Sequence, residues 1–151
     1  MPTIEVFAEK KTDFWATAVA VSPFDSETVY IGYFKIIHSL FFEAGVAVTK
    51  DGGRTWFQSG VENGRVGSFA FDPKAGNVLY TGTLAGVFRT RDGGMSWSKL
   101  GDLLADSIQL DPSQETLYAA TANGVFEYEL TLTPPSLVPK NRNAREVLPR
   151  R

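Results

Sequence analysis

Thr49-Lys50-Asp51-Gly52-Gly53-Arg54-Thr55-Trp56 returns as Thr90-Arg91-Asp92-Gly93-Gly94-Met95-Ser96-Trp97, with Asp51 and Asp92 41 positions apart. Each copy follows a short apolar run that reads as a strand, Gly45-Val46-Ala47-Val48 and Gly86-Val87-Phe88-Arg89. Repetition at this spacing marks an architecture in which one small β unit is copied along the chain.

The repeat extends beyond these boxes. Upstream of the first run Val19-Ala20-Val21-Ser22-Pro23 and Thr28-Val29-Tyr30-Ile31-Gly32; upstream of the second run Phe69-Ala70-Phe71-Asp72-Pro73 and Asn77-Val78-Leu79-Tyr80-Thr81-Gly82. A third unit opens at Ile108-Gln109-Leu110-Asp111-Pro112, continues Thr116-Leu117-Tyr118-Ala119-Ala120 and reaches Gly124-Val125-Phe126 without a box. Each unit reads as strand, Pro-containing turn, strand, short Gly turn, strand. Proline cannot donate to a sheet ladder, so Pro23, Pro73 and Pro112 mark strand ends. The central strands are apolar on both faces, which suits sheets covered on each side by a neighbour. No stretch longer than a turn or two has helical period, and the chain is expected to be all-β.

The box has its own physical logic. Gly52, Gly53, Gly93 and Gly94 supply the positive φ that a tight turn between antiparallel strands requires. Asp51 and Asp92 are placed to accept from turn amides, and the hydroxyls of Thr49 and Thr90 can do the same. Trp56 and Trp97 bring a large apolar ring to the end of each unit. Catalysis or metal binding is the alternative use of these aspartates; their recurrence as a set points to turn chemistry.

The two segments resemble the Asp-box, or BNR repeat, Ser/Thr-x-Asp-x-Gly-x-Thr/Ser-Trp, carried here by Thr49, Asp51, Gly53, Thr55 and Trp56 and by Thr90, Asp92, Gly94, Ser96 and Trp97. The units are similar to those of bacterial propellers related to sortilin-type domains, xyloglucanases, sialidases and the photosystem II assembly factor, over about residues 3–130. The resemblance implies β-propeller blades of four antiparallel strands, with the box a fold element on the outer part of a blade. It implies little about function, since one fold hosts many activities.

Strand counting leads to assembly. Residues 3–7 align with the strand that follows the first box, and so read as an outer strand shared with another blade. Blade 1 then spans 14–60, blade 2 66–101 and blade 3 106–130, the last with three strands and no box. Propellers have about four to eight blades, so three do not close a ring. The expectation is a homo-oligomer, with a C2 dimer the first choice, in which two chains exchange strands 3–7 to make six blades. The alternative is a fragment of a longer propeller.

With 151 residues, 43% of them hydrophobic, the chain can build a substantial core and reads as one domain. It has no cysteine, which excludes disulfides, thiolate metal sites and thiol catalysis. No signal peptide is visible, no apolar run approaches the ~20 residues of a membrane span, and compartment is left open. No cofactor is expected. Charge is uneven: the tail 131–151 holds Lys140, Arg142, Arg145, Arg150 and Arg151 against Glu146 alone, while the body holds ten basic and sixteen acidic residues. A basic arm for a polyanion is one reading. The body lacks a basic stripe with interleaved aromatics, so no nucleic-acid partner is expected.

One departure from the repeat stands out. Tyr30 to Gly45 spans 15 positions, against 6 for Tyr80 to Gly86 and for Tyr118 to Gly124, a nine-residue insertion within 34–43. Its anchors Phe34, Ile37, Phe41 and Phe42 suit a pocket wall or a subunit contact, because exposed apolar patches mark interaction sites. A lengthened hairpin packing on its own blade is the alternative. His38, the chain's one histidine, has no Cys, His or carboxylate cluster near it in sequence that would make a metal site.

Loops just before the first strand of each unit, Asp13-Phe14-Trp15, Asn63-Gly64-Arg65 and Ala105-Asp106-Ser107, should gather at one mouth of a ring. Trp15 and Arg65 are the candidate ligand contacts there. A sialidase-like activity needs three clustered arginines, which Arg54, Arg65, Arg89 and Arg91 do not supply in any recognisable pattern. A glycosidase needs two carboxylates across a cleft, and Asp13, Asp25, Asp102 and Asp106 show no pairing. The leading expectation is a non-catalytic module binding a glycan or protein; a glycoside hydrolase-like propeller and a pure scaffold are the alternatives.

Overall fold

In the computed structural model, residues 13–37, 41–61, 64–131 and 136–138 are described. Every regular element among them is a strand. Twelve strands form three antiparallel sheets in chain order. The first holds β1 (Asp13–Val21), β2 (Val29–Ile37), β3 (Phe41–Thr49) and β4 (Phe57–Ser59). The second holds β5 (Val66–Phe71), β6 (Leu79–Thr83), β7 (Gly86–Thr90) and β8 (Ser98–Gly101). The third holds β9 (Ser107–Leu110), β10 (Thr116–Thr121), β11 (Gly124–Glu129) and β12 (Ser136–Val138). Each sheet is a plain meander, and β5 packs between β1 and β9, so the first strands of the three sheets lie side by side.

The third sheet departs from the expected three strands. Ser136–Val138 pairs antiparallel with β11 at Glu127, Tyr128 and Glu129, filling the outer place from the same chain. An unpaired edge exposes a row of amide and carbonyl groups, and here the segment following β11 satisfies it. The exchange of residues 3–7 into that place therefore loses its premise. Residues 3–7 themselves, and the basic tail beyond 138, lie outside the described residues. The insertion is a lengthened hairpin, the alternative reading of it: it prolongs β2 and β3, with Lys35 opposite Glu43 and Ile37 opposite Phe41.

Two apolar layers lie between the sheets. Between the first and second, Tyr30, Val46, Val48, Val61, Val66 and Leu79 are buried, with Phe69 and Phe71 packed against them. Between the second and third, Tyr80, Val87, Ala105, Ile108, Leu117 and Tyr128 are buried. The residues are equivalent in the repeat: Tyr30 and Tyr80 come from the second strands, and Phe69 and Ile108 from the first strands of the following sheet. The two-faced apolar strands thus exist because each interior sheet face has a neighbour.

Close approach fixes small residues at the seams. A Cβ on Gly82 of β6 would stand 2.8 Å from Ile108 Cγ2 and 3.0 Å from Ala105 Cβ. Gly32 of β2 occupies the matching place, against the Val66 side chain. Gly82→Ala should therefore force the second and third sheets apart and cost about 1–3 kcal/mol, the usual range for overpacking. Urea denaturation should show a lower midpoint with an unchanged slope.

Candidate functional site

The repeated boxes occupy the β3–β4 and β7–β8 turns. In the first, Thr49 Oγ1 accepts from Gly53 N at 2.8 Å and donates to Asp51 Oδ1 at 2.8 Å. The Asp51 carboxylate accepts from Thr55 N at 2.8 Å and from the Thr55 hydroxyl at 2.6 Å. The second box repeats this with Thr90, Gly94, Asp92 and Ser96. Gly52, Gly53, Gly93 and Gly94 all have positive φ, between 67° and 89°. Each carboxylate is thus engaged on both oxygens by its own turn. The hydroxyls of Thr55 and Ser96 are the largest cause holding Asp51 and Asp92 down to about 2, followed by the amides of the same residues. Acids held in this way serve the turn that contains them.

The second box also reaches across a seam. Tyr30 of β2 donates to Gly93 O at 3.0 Å, the Ser59 hydroxyl donates to Gly94 O, and Trp97 Nε1 donates to Ser59 Oγ at 2.7 Å. In the first box Trp56 Nε1 turns inward to Gly53 O at 3.1 Å. The remaining aspartates before proline serve turns as well. Asp72 accepts from Lys74 N, and Asp111 from Glu115 N, Thr116 N and the Ser113 hydroxyl.

The opposite ends of the sheets are arranged differently. There the segments leading into β5 and β9 meet the β6–β7 turn: Leu84 N donates to Arg65 O at 3.0 Å, and Ala105 N to Thr83 O at 3.1 Å. A cleft of about 140 Å³ opens among Thr17, Arg65, Val66, Gly67, Leu84, Ala105 and Asp106. Two β-bulges shape it, since pairing slips by one residue at Thr17 in β1 and at Gly67 in β5. Bulges re-aim side chains next to binding sites. Gly67 allows the Asp106 carbonyl to approach, which no side chain would permit. The Thr17 hydroxyl is buried and lacks a hydrogen-bond partner.

Two residues along β1 from Thr17 stands Trp15, 47% exposed. Its ring lies 5.8 Å from that of Phe34, which stacks on Phe42 at 5.4 Å and 23°. Phe42 is 63% exposed. The lengthened β2–β3 hairpin thus adds Phe34 and Phe42 to Trp15 of β1, making a row of three aromatic rings beside the cleft. Arg65 and Asp106 are exposed at its rim. The side chains of Asp13, Phe14, Ile37 and Phe41 are outside the described set, as are His38 and Asn63 altogether. Arg65 stands apart from Arg54, which bonds Asp51 O, and from Arg89 and Arg91 on and after β7.

Sequence reading missed a second cleft, of about 200 Å³, on the outer side of the first sheet. There Tyr33 donates to Glu43 at 3.0 Å, and Gln58 Nε2 donates to both Glu43 (2.7 Å) and the Tyr33 hydroxyl (3.1 Å). Tyr33 just before the insertion and Glu43 at its end are the signal for it. Among the described residues no three His, Cys, Asp or Glu side chains converge on a point suited to a metal ion.

No protein-family model and no curated protein matches the chain. Solved structures do match. The GH74 xyloglucanase from Xanthomonas campestris superposes with a TM-score of 0.62 at 20% identity, over 85% of this chain and 24% of that one. An ancestral GH74 enzyme superposes with a TM-score of 0.53 at 18% identity, over 82% of this chain and 25% of that one. The chain thus spans about a quarter of the length of the structures it matches. The likeness is one of fold: the three sheets are arranged as blades of a β-propeller.

Two outcomes follow from the boxes. Thr49→Val keeps the shape but leaves the buried Gly53 amide unsatisfied, and should cost about 1–3 kcal/mol in urea; Thr90→Val should match it. The folded-state acidities of Asp51 and Asp92 lie below the ordinary 3.8. Their contribution is therefore fully present above about pH 4 and is lost as pH falls toward 2. Urea midpoints should drop across that window, and the drop should be shallower in Thr55→Ala/Ser96→Ala, which lacks the largest cause of the shift.

Proposed function

We propose that the chain is a non-catalytic β-propeller binding module, acting within an oligomer, that takes a carbohydrate on the Trp15–Phe34–Phe42 row. The observation that carries this reading is the row itself: three contacting rings, two of them well exposed, of which Phe34 and Phe42 come from a hairpin extension that the other two sheets lack. Where the repeat is followed, the same turn is only Thr83-Leu84-Ala85-Gly86. A feature outside the repeat is not needed to build the repeat.

The chemistry suits a sugar. The apolar face of a pyranose ring packs on an aromatic face, while its equatorial hydroxyls seek donors and acceptors at the edge. Arg65, Asp106 and the unpartnered Thr17 hydroxyl provide both kinds, in the pattern of a mostly apolar site with a few convergent polar groups. Resemblance of the boxes to Asp-box repeats and of the fold to a xyloglucanase supports a plant-type polysaccharide as the first ligand to try. Binding is favoured over turnover because Asp106 is the one carboxylate among the described side chains lining the mouth cleft, whereas glycosidases use two.

Affinity electrophoresis in gels containing xyloglucan, followed by calorimetry with its oligosaccharides, tests the reading. Trp15→Ala should weaken binding at least ten-fold, about 1.4 kcal/mol, with unchanged melting, and Arg91→Ala should bind as the parent does. Absence of any glycan retention would defeat the proposal and favour a protein ligand. Release of reducing ends, abolished by Asp106→Asn, would favour the hydrolase alternative.

A further inference from the structure

We infer that the two end faces of the three-sheet stack bind each other between two copies of this chain, closing one six-bladed ring. The inference rests on the propeller reading and identifies the partner and the contact. Large apolar side chains are exposed at both ends of the stack. On the first sheet Val19 and Val21 are 71% and 54% exposed; on the third, Tyr118 and Val125 are 37% and 54% exposed.

What covers such faces is written inside the molecule, because the same contact is made there twice. Phe69 and Phe71 of β5 lie against Tyr30, with ring centroids 6.1 and 5.7 Å apart. Ile108 and Leu110 of β9 pack in one cluster with Tyr80. Counted from the turn prolines, Val19 and Val21 hold the places of Phe69 and Phe71, and of Ile108 and Leu110. Tyr118 holds the place of Tyr30 and Tyr80. Val125 holds that of Val46 and Val87, which are buried to 1% and 0%. One end of the stack therefore presents the first half of an existing interface, and the other end presents the second half.

Finer features match as well. At the first seam Gly32 faces Val66. The corresponding pair between copies is Ala120 facing Ala16: a methyl is gained on one side and the valine is trimmed on the other. Register supports the equivalence, since Ala16 and Val66 both sit just before a bulge. A head-to-tail contact propagates unless rotation closes it. Three sheets from each of two chains give six, within the four to eight of known propellers.

Light scattering coupled to size exclusion on the full chain should give twice the 16.6 kDa chain mass. Val21→Glu and Val125→Glu, both at exposed positions, should each halve it with unchanged β circular dichroism. The native chain has no cysteine, which allows a contact-specific test. Val21→Cys/Tyr118→Cys should oxidise to a covalent dimer, and either single variant should not. A monomeric parent, a mass beyond two chains, or a covalent dimer from Val21→Cys alone would overturn the inference. Failure here is separable from failure of the binding proposal: a monomer that still binds xyloglucan defeats only the assembly. A dimer that ignores it defeats only the ligand.

Discussion

A four-stranded sheet with apolar side chains on both faces cannot stand in water by itself. Two such faces must be covered, and in this chain the covering is done by the next sheet. Tyr30 between Phe69, Phe71 and Val66, and Tyr80 against Ile108 and Leu110, are two instances of one contact. Everything else accommodates it. Gly32 and Gly82 are glycines because the next sheet's first strand lies too near for a side chain, and the bulges at Thr17 and Gly67 adjust the strands that run along the common axis.

Hydrogen bonding then divides the molecule into two ends with different duties. At one end the boxes and the Asp-Pro turns consume their own polar groups: threonine hydroxyl, aspartate carboxylate and glycine amide form closed local sets. Trp97, Ser59 and Tyr30 turn the second set into a clasp between sheets. At the other end the segments entering β5 and β9 leave a cleft with an arginine, an aspartate and a threonine hydroxyl that internal partners do not exhaust. Groups free to bind something else are found there, beside the aromatic row.

Much of the fold was legible because its signals are local and repeated. Proline positions, paired glycines and the recurrence of Val-Tyr and Leu-Tyr strands delimit sheets without any knowledge of their packing. The aromatic residues Trp15, Phe34 and Phe42 were legible as candidates, but their convergence depends on register, Trp15 opposite Phe34 and Phe42 opposite Ile36, which composition does not encode. The insertion breaks the repeat length, yet it is strand because Phe34, Ile36 and Phe42 are good β residues that extend an existing ladder. β12 was missed because three residues after a double proline carry almost no pattern, and their place is dictated by the vacant edge of β11. Thr17 gave no signal, since a bulge is a property of pairing and not of one residue.

The outer turns have one more consequence, in the order in which the molecule comes apart. Stacked repeats melt as a chain of nearest neighbours, each unit held by its own stability and by its seams. The first two sheets share a clasp at their periphery as well as an apolar seam. Among the described residues the third has neither a box nor such a clasp. Amide exchange should accordingly fall into two cooperative blocks, with β9 to β12 opening at lower free energy than the Tyr30–Gly93 junction. The chain is graded along its length, firm at the clasped seam and yielding at the end where the repeat loses its box.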